Sequence, residues 1–322
     1  MLPLALGLLF AAPAAASTPR PLEDCDALYY GQGRPKDYAA ALACYRSEKY
    51  SWAGPLMVIV MQLNGEGTPV DVAGARAGLE RSGMGGGDVD TLDQIIKQRE
   101  KDPKAKADRV DFCEDVATTT PSLAYCASVQ ESGVAVKDDK VLAELRAGLE
   151  PGARSAFDAA RAAFASFVRA EGRRVYQKWI EGTIRSQAST AGESFARADF
   201  MVLMKTLAKA GAAGPKPGKR SFADADGALN AAYRDELREY ASTFDDQAKG
   251  APASEKKTYQ TYVRDYKVLA HAAQRQWVRY RDAMAKLAAA RWAGRPEVED
   301  LTRALVTEDR IRELTPGEGD IR

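Results

Sequence analysis

The sequence predicts an all-α chain of short helical-repeat hairpins, followed by two helical-bundle modules with long amphipathic helices. Three observations predict it. Gly31, Gly33, Pro35, Asp37 and Ala41 return 34 residues later as Gly65, Gly67, Pro69, Asp71 and Ala75, which is the period of a two-helix solenoid unit. A second offset, of 113 residues, maps Ala160 onto Ala273, Phe164 onto Trp277, Phe167 onto Tyr280 and Trp179 onto Trp292. Tyr259, Tyr262, Tyr266, Leu269, Ala273, Trp277, Tyr280, Met284 and Leu287 step by three or four, tracing one apolar stripe on an unusually long helix. No stretch alternates convincingly as a strand does, and the apolar run Pro55 to Leu63 is placed on a buried repeat helix.

Residues 1–16 read as a signal peptide. Leu2 to Ala16 carries no charge and ends in Ala14-Ala15-Ala16 before Ser17, an A-x-A cleavage pattern, although a basic n-region is absent. The run is too short and too rich in Ala and Pro to read as a membrane span, and no later segment reaches the uncharged length a bilayer crossing needs. Residues 17–90 hold the repeat hairpins: each Gly-x-Gly ends a helix, the Pro follows where no helix continues, and the Asp caps the next. Gly83 to Asp88 reads as a flexible exit. A first module is placed at 105–210, where Phe157, Ala160, Phe164, Val168, Val175 and Trp179 form a stripe that slips near Glu171-Gly172. Residues 211–221 form the linker. A second module is placed at 222–315, with helices from about Asp226 to Phe244 and from about Pro296 to Leu314 flanking the long one.

The charge balance of +1 over 322 residues argues against a general nucleic-acid binder. Locally it is uneven. Residues 111–150 carry −5 and 151–187 carry +4, and the pattern returns as −5 over 223–246 and +7 over 255–295, so acidic front helices are expected to pack against basic long ones. Such exposed pairs each contribute only about 0–1 kcal/mol. Four cysteines fall as two neighbouring pairs in a chain read as exported, which favours disulfides from Cys25 to Cys44 and from Cys113 to Cys126. A metal site lacks support, because no C-x-x-C occurs and the single histidine, His271, is remote in sequence.

The first segment, Tyr30-Gly31-Gln32-Gly33-Arg34-Pro35-Lys36-Asp37-Tyr38 and then Asn64-Gly65-Glu66-Gly67-Thr68-Pro69-Val70-Asp71, resembles Sel-one-like repeats, relatives of tetratricopeptide repeats. That resemblance implies a protein-binding or scaffolding surface. A second resemblance rests on Phe112-Cys113-Glu114-Asp115-Val116-Ala117-Thr118-Thr119-Thr120 through Tyr125-Cys126-Ala127. It continues in Ala225-Asp226-Gly227-Ala228-Leu229-Asn230-Ala231-Ala232-Tyr233 and in Ala273-Gln274-Arg275-Gln276-Trp277 to Arg281-Asp282. These are similar to the LprI-type lysozyme-inhibitor domain family, in two divergent copies. The first copy keeps the cysteine start but has Phe164 and Phe167 on the helix where the Trp motif stands; the second keeps the helices without the cysteines. The resemblance implies a periplasmic or secreted helical protein that binds a protein such as lysozyme, with Asn230, Tyr233, Gln274, Trp277, Arg281 and Asp282 as motif positions. Trp277 and Tyr233 are expected to pack inside the bundle, and Arg281 and Asp282 to pair with other helices rather than with each other.

No catalytic, cofactor or metal residue is assigned. Ser254-Glu255-Lys256-Lys257 has S-x-x-K spacing without the companion motifs of acyltransferases, and Ser254 after Pro252 reads better as a helix N-cap. His271 has no G-x-S-x-G serine or cysteine partner. Neither Gly-rich stretch has phosphate-loop spacing. Two non-enzymatic readings remain: an exported protein that blocks a muramidase or another envelope protein, and an envelope scaffold that docks partners through its repeats.

Overall fold

The computed structural model describes residues 24–47, 53–102 and 108–315; the expected leader lies outside them. Among the described residues the chain forms helices and no strand. In order these are α1 (Asp24–Tyr30), α2 (Tyr38–Tyr45), α3 (Ala53–Asn64), α4 (Val72–Ser82) and α5 (Gly87–Lys101). A π-helical turn (Phe112–Val116) leads to α6 (Thr120–Ala147), α7 (Pro151–Lys178) and α8 (Arg185–Lys209). A 3₁₀ turn (Gly211–Ala213) precedes α9 (Phe222–Ala248), α10 (Ala253–Arg291) and α11 (Glu297–Leu314).

The 34-residue sequence period is also a period of backbone structure. Gly31 and Gly33 sit at φ 73° and 72°, and Gly65 and Gly67 at 71° and 73°, where a side chain would be strained. Asp37 accepts from the Ala40 amide and Asp71 from the Gly74 amide, capping α2 and α4. The Asp37 and Asp71 amides donate to the Leu28 and Gln62 carbonyls, each at 2.9 Å. Disulfides join Cys25 to Cys44, across α1 and α2, and Cys113 to Cys126, across the π turn and α6, with Cα–Cα distances of 5.3 and 5.5 Å.

Two features of this half differ from the expectation. Gly83 and Gly86, both at positive φ, turn the chain from α4 directly into a further helix, α5, which the sequence pattern did not mark. The cysteine-bracketed segment, placed by sequence with the first bundle, packs instead on the repeat hairpins: Phe112 and Val116 join Leu56, Ile59, Leu92 and Ile96 in one apolar cluster. Asp88 locks this arrangement. It is 5% exposed and accepts from the Thr118 and Thr119 amides at 2.7 and 3.0 Å and from the Thr119 and Ser122 hydroxyls at 2.6 and 3.0 Å. Burial alone would raise its carboxyl, but these donors hold it below the usual carboxylate range. The Thr-rich stretch is thus the capping and anchoring of α6.

In the other half a single apolar core joins α6, α7 and α8 to α9, α10 and α11. α7 lies along α10, and the residues related by the 113 offset meet there: Phe167 stacks on Tyr280 with centroids 5.9 Å apart, and Phe164 meets Tyr280 edge-on at 5.3 Å. Phe164 also stacks on Phe200 of α8 at 4.1 Å. Trp179 and Trp292 occupy the same place on their helices, each closing the last turn by donating its amide to Val175 and Ala288, again 113 apart. The slip near Glu171-Gly172 has a packing cause. Gly172 and Gly192 allow α7 and α8 to approach, since a Cβ on Gly192 would stand 3.0 Å from the Val175 side chain and one on Gly172 would collide with Glu193. The long helix α10 starts at Ala253 with Pro252 before it, not with Ser254 as N-cap, because Pro252 already supplies a pre-set φ.

One consequence concerns pH. Asp309 on α11 is pushed up to about 7, first by burial and then by Asp199, Glu313 and Glu308 around it, with Arg312 opposing. Its folded value lies above its ordinary one, so the folded state takes up the proton more readily, and this contribution favours folding as pH falls from about 7 towards 4. Asp309→Asn is therefore expected to raise the melting temperature by a few degrees at pH 8 and to change it much less at pH 5. Equal melting temperatures at pH 8 would contradict the assignment.

Candidate functional site

The motif residues of the last three helices divide into a packed set and an exposed set. Ala225 and Leu229 are buried where α9 meets its neighbours, which places Asp226 toward α10. Arg281, whose side chain is 12% exposed, donates to Asp226 at 3.0 Å and lies over the rings of Phe222 at 5.1 Å and Trp277 at 5.2 Å. A cation between two aromatic faces and a carboxylate is held by dispersion, ring quadrupole and charge together. Trp277 is 1% exposed, and its place is in the core.

Arg281 and Asp282 do pair with each other, Nε to Oδ1 at 3.0 Å, against the expectation from helix geometry. The long guanidinium folds back over the short carboxylate while its other end reaches Asp226. Arg303 of α11 approaches Asp282 at 3.9 Å, so the cluster links three helices. Asn230 is exposed and donates to Asp226 at 3.2 Å. Tyr233 is half-buried, its hydroxyl 3.0 Å from His271 Nδ1. Gln274 is half-buried, its Oε1 buried and without a partner among the described residues. These six positions therefore lie on adjoining faces of α9 and α10, and the chemistry they assemble is ion pairing, stacking and hydrogen bonding. Among the described residues no group of His, Cys, Asp and Glu could hold a metal, and no helix is long and apolar enough to cross a membrane.

A buried ionic network was not foreseen from sequence. Glu171 and Arg174 of α7, Glu236 of α9 and Arg310 of α11 are all at most 5% exposed. Arg174 donates to Glu171 at 2.6 and 3.0 Å, to the Tyr266 hydroxyl at 2.9 Å and to Glu236. Arg310 donates to Glu171 at 2.9 Å and to Glu313 at 2.7 Å, and it lies 5.1 Å from the Phe167 ring. Burial would raise the Glu171 carboxyl, yet Arg174 and Arg310 hold it well below the usual range. Glu313 goes the other way: burial, with Glu171 nearby, raises it against the pull of Arg310. The available sequence signal was Glu171-x-x-Arg174 on an otherwise apolar stripe, whose charges sit one helical turn apart.

Beside this network lies a cavity of about 590 Å³, bounded by the end of α7, the acidic face of α9 and the end of α11. No curated protein and no solved structure matches the chain. One family does match part of it: residues 218–314, which contain all six motif positions, match the family described as Lysozyme inhibitor LprI.

Proposed function

We propose that this chain is an exported protein-binding protein that inhibits a lysozyme or another envelope protein, and that it is not an enzyme. The observation that carries this reading is the match of 218–314 to the lysozyme-inhibitor family. Two disulfides suit an oxidising compartment, which supports the periplasmic or secreted location. A c-type lysozyme is strongly basic with a carboxylate-lined cleft, and the acidic faces on α6 and α9 would steer such a partner. The stacking of Phe167 on Tyr280, its counterpart at the 113-residue offset, and the matching helix-end positions of Trp179 and Trp292 support a divergent first copy within 105–210, sharing its core with the second.

The test is lysis of a cell-wall suspension by a c-type lysozyme with the full chain added in excess. Dose-dependent slowing of lysis, with a stoichiometric complex on gel filtration, is the expected result. Undiminished lysis at large excess overturns the inhibitor reading. The scaffold alternative draws on one observation of its own, the 34-residue backbone period of α1 to α4, consistent with a Sel-one-like docking surface; it predicts envelope partners retained by a chain that leaves lysis untouched.

A further inference from the structure

The two ends of the α7–α10 pair are built alike but finished differently. At the α10 end, Trp292 is roofed by the chain itself: its indole Nε1 donates to the Gly211 carbonyl at 2.7 Å, Arg291 donates to the Ala208 carbonyl at 3.1 Å, and Arg295 reaches the Ala212 and Ala213 carbonyls. Leu145, Leu149 and Leu207 fill the space, leaving a cavity of only about 20 Å³. At the α7 end the corresponding cavity is about 590 Å³. There, among the described residues, the Trp179 Nε1 is buried without a partner, and the Oε2 of Glu236 likewise has no hydrogen-bond partner. Glu236 is 5% exposed, and both residues line the cavity.

Buried donors and acceptors without a partner are unfavourable, so a donor and a carboxylate oxygen buried unpaired beside one groove call for an occupant that supplies both complements once the wall side chains turn toward it. The rim indicates its charge. Glu181, Asp235 and Glu239 surround the opening with Glu236 at its base, against one cation among the described residues, Lys178, which already approaches Glu236 Oε1 at 3.5 Å. Tyr240 and Phe244 form an apolar wall. The α10 end shows which groups satisfy such a place: backbone carbonyls to the indole.

We propose that this groove receives a lysine- or arginine-bearing loop of a basic partner protein, its carbonyl accepting from Trp179 Nε1 and its cation facing Glu236, Asp235 and Glu239. The aromatic wall takes the aliphatic stem of the side chain. This rests on the reading of the chain as a binder of a basic protein such as lysozyme, and deepens it by naming the contact surface.

The experiment compares the full chain, the rim variant Asp235→Lys/Glu239→Lys, and a matched charge reversal away from the groove, Glu144→Lys/Glu150→Lys, in binding to a c-type lysozyme by calorimetry. Of the control pair Glu144 stands on α6 and Glu150 caps α7; all four substituted residues are exposed, and far-UV circular dichroism verifies the fold. The rim variant is expected to weaken binding by at least about tenfold and the control by less than about threefold, as separates a contact from general steering. Equal losses in both variants, or none in either, overturn the groove. A full chain that does not bind lysozyme at all overturns the parent reading, and the groove is then tested alone with a Gly-Lys-Gly-Arg-Gly peptide amide. Saturable change in tryptophan emission, abolished in Trp179→Phe, upholds it, and absence of saturation overturns it. A chain ending at Thr315 is run in parallel: if only this shortened chain binds either probe, the occupant is the chain's own terminus and the partner proposal falls.

Discussion

Arg310→Met is expected to lower the unfolding free energy by about 3–5 kcal/mol, the range for breaking a buried ion pair from one side. Arg310 is fully buried and is the cation shared by Glu171 and Glu313. Its removal leaves Glu171 with Arg174 alone and Glu313 with no cation among the described residues, in a site where water cannot replace the lost charge. Methionine keeps much of the volume and the contact with Phe167, so the loss reports charge rather than a cavity. Urea denaturation gives the number, and a change below about 1 kcal/mol would show that the network does not hold the bundle. In Glu171→Met/Arg310→Met the loss is expected to fall short of the sum of the single losses, because each single change strands a charge that the double change removes. The acid limb carries a second signature. Glu171 is held below its ordinary range in the folded state, so its contribution is present above the ordinary glutamate range near 4.5 and is lost as pH falls through the depressed value. Without Arg310 that loss begins at higher pH.

What could be seen in the sequence and what could not follow from the same physics. Local spacing carries local structure: the glycines and aspartates 34 residues apart mark positions where backbone conformation and capping admit few residue types, so α1 to α4 were legible. The stripe Tyr259 to Leu287 was legible because an amphipathic helix must place its apolar side chains on one face. The buried arginines were not. Arg174 and Arg310 sit among charged residues that read as solvated faces, and although Glu171 and Glu313 stand three residues from them, the partners on other helices lie 62 and 139 residues away in the chain. Nothing within a helical turn distinguishes Arg310 from Arg312, which is exposed.

The candidate site divides along the same line. Its motif residues were found as a pattern of types, but which of them face solvent depended on the crossing of α9, α10 and α11. Ala225 proves to be fully buried, and Asp226, whose role no spacing indicated, proves to be the anion for Arg281. The segment Phe112 to Cys126 went to the wrong neighbour because a resemblance ties residues together in sequence, whereas burial of Phe112 and Val116 against α3 and α5 is decided by whichever apolar surface is otherwise uncovered. The groove beside Trp179 could not be read at all: its walls come from the end of α7, from α9 and from the end of α11, segments far apart in sequence.

Trp277→Ala is expected to cost about 3–5 kcal/mol, the range for emptying a buried large aromatic site. The side chain is 1% exposed, lies in the core with Tyr280, Met284 and Phe164, and supports Arg281 from below. Truncation therefore opens a cavity and also releases the guanidinium from one of its two aromatic faces, weakening the bond to Asp226 that ties α9 to α10. Trp277→Phe keeps a ring beneath Arg281 and removes less volume, so its loss is expected to be clearly smaller. The pair of variants separates a core role from a contact role for the most conspicuous residue of the motif. If Trp277 worked by touching a partner, Trp277→Phe would weaken lysozyme binding while urea midpoints stayed near the parent value. If it works by holding three helices in register, stability falls in the order Ala below Phe below parent, and binding follows only as far as the folded fraction does. Burial of the indole behind Arg281 favours the second outcome, which would place recognition on the exposed acidic face of α9 and leave the motif tryptophan as its support.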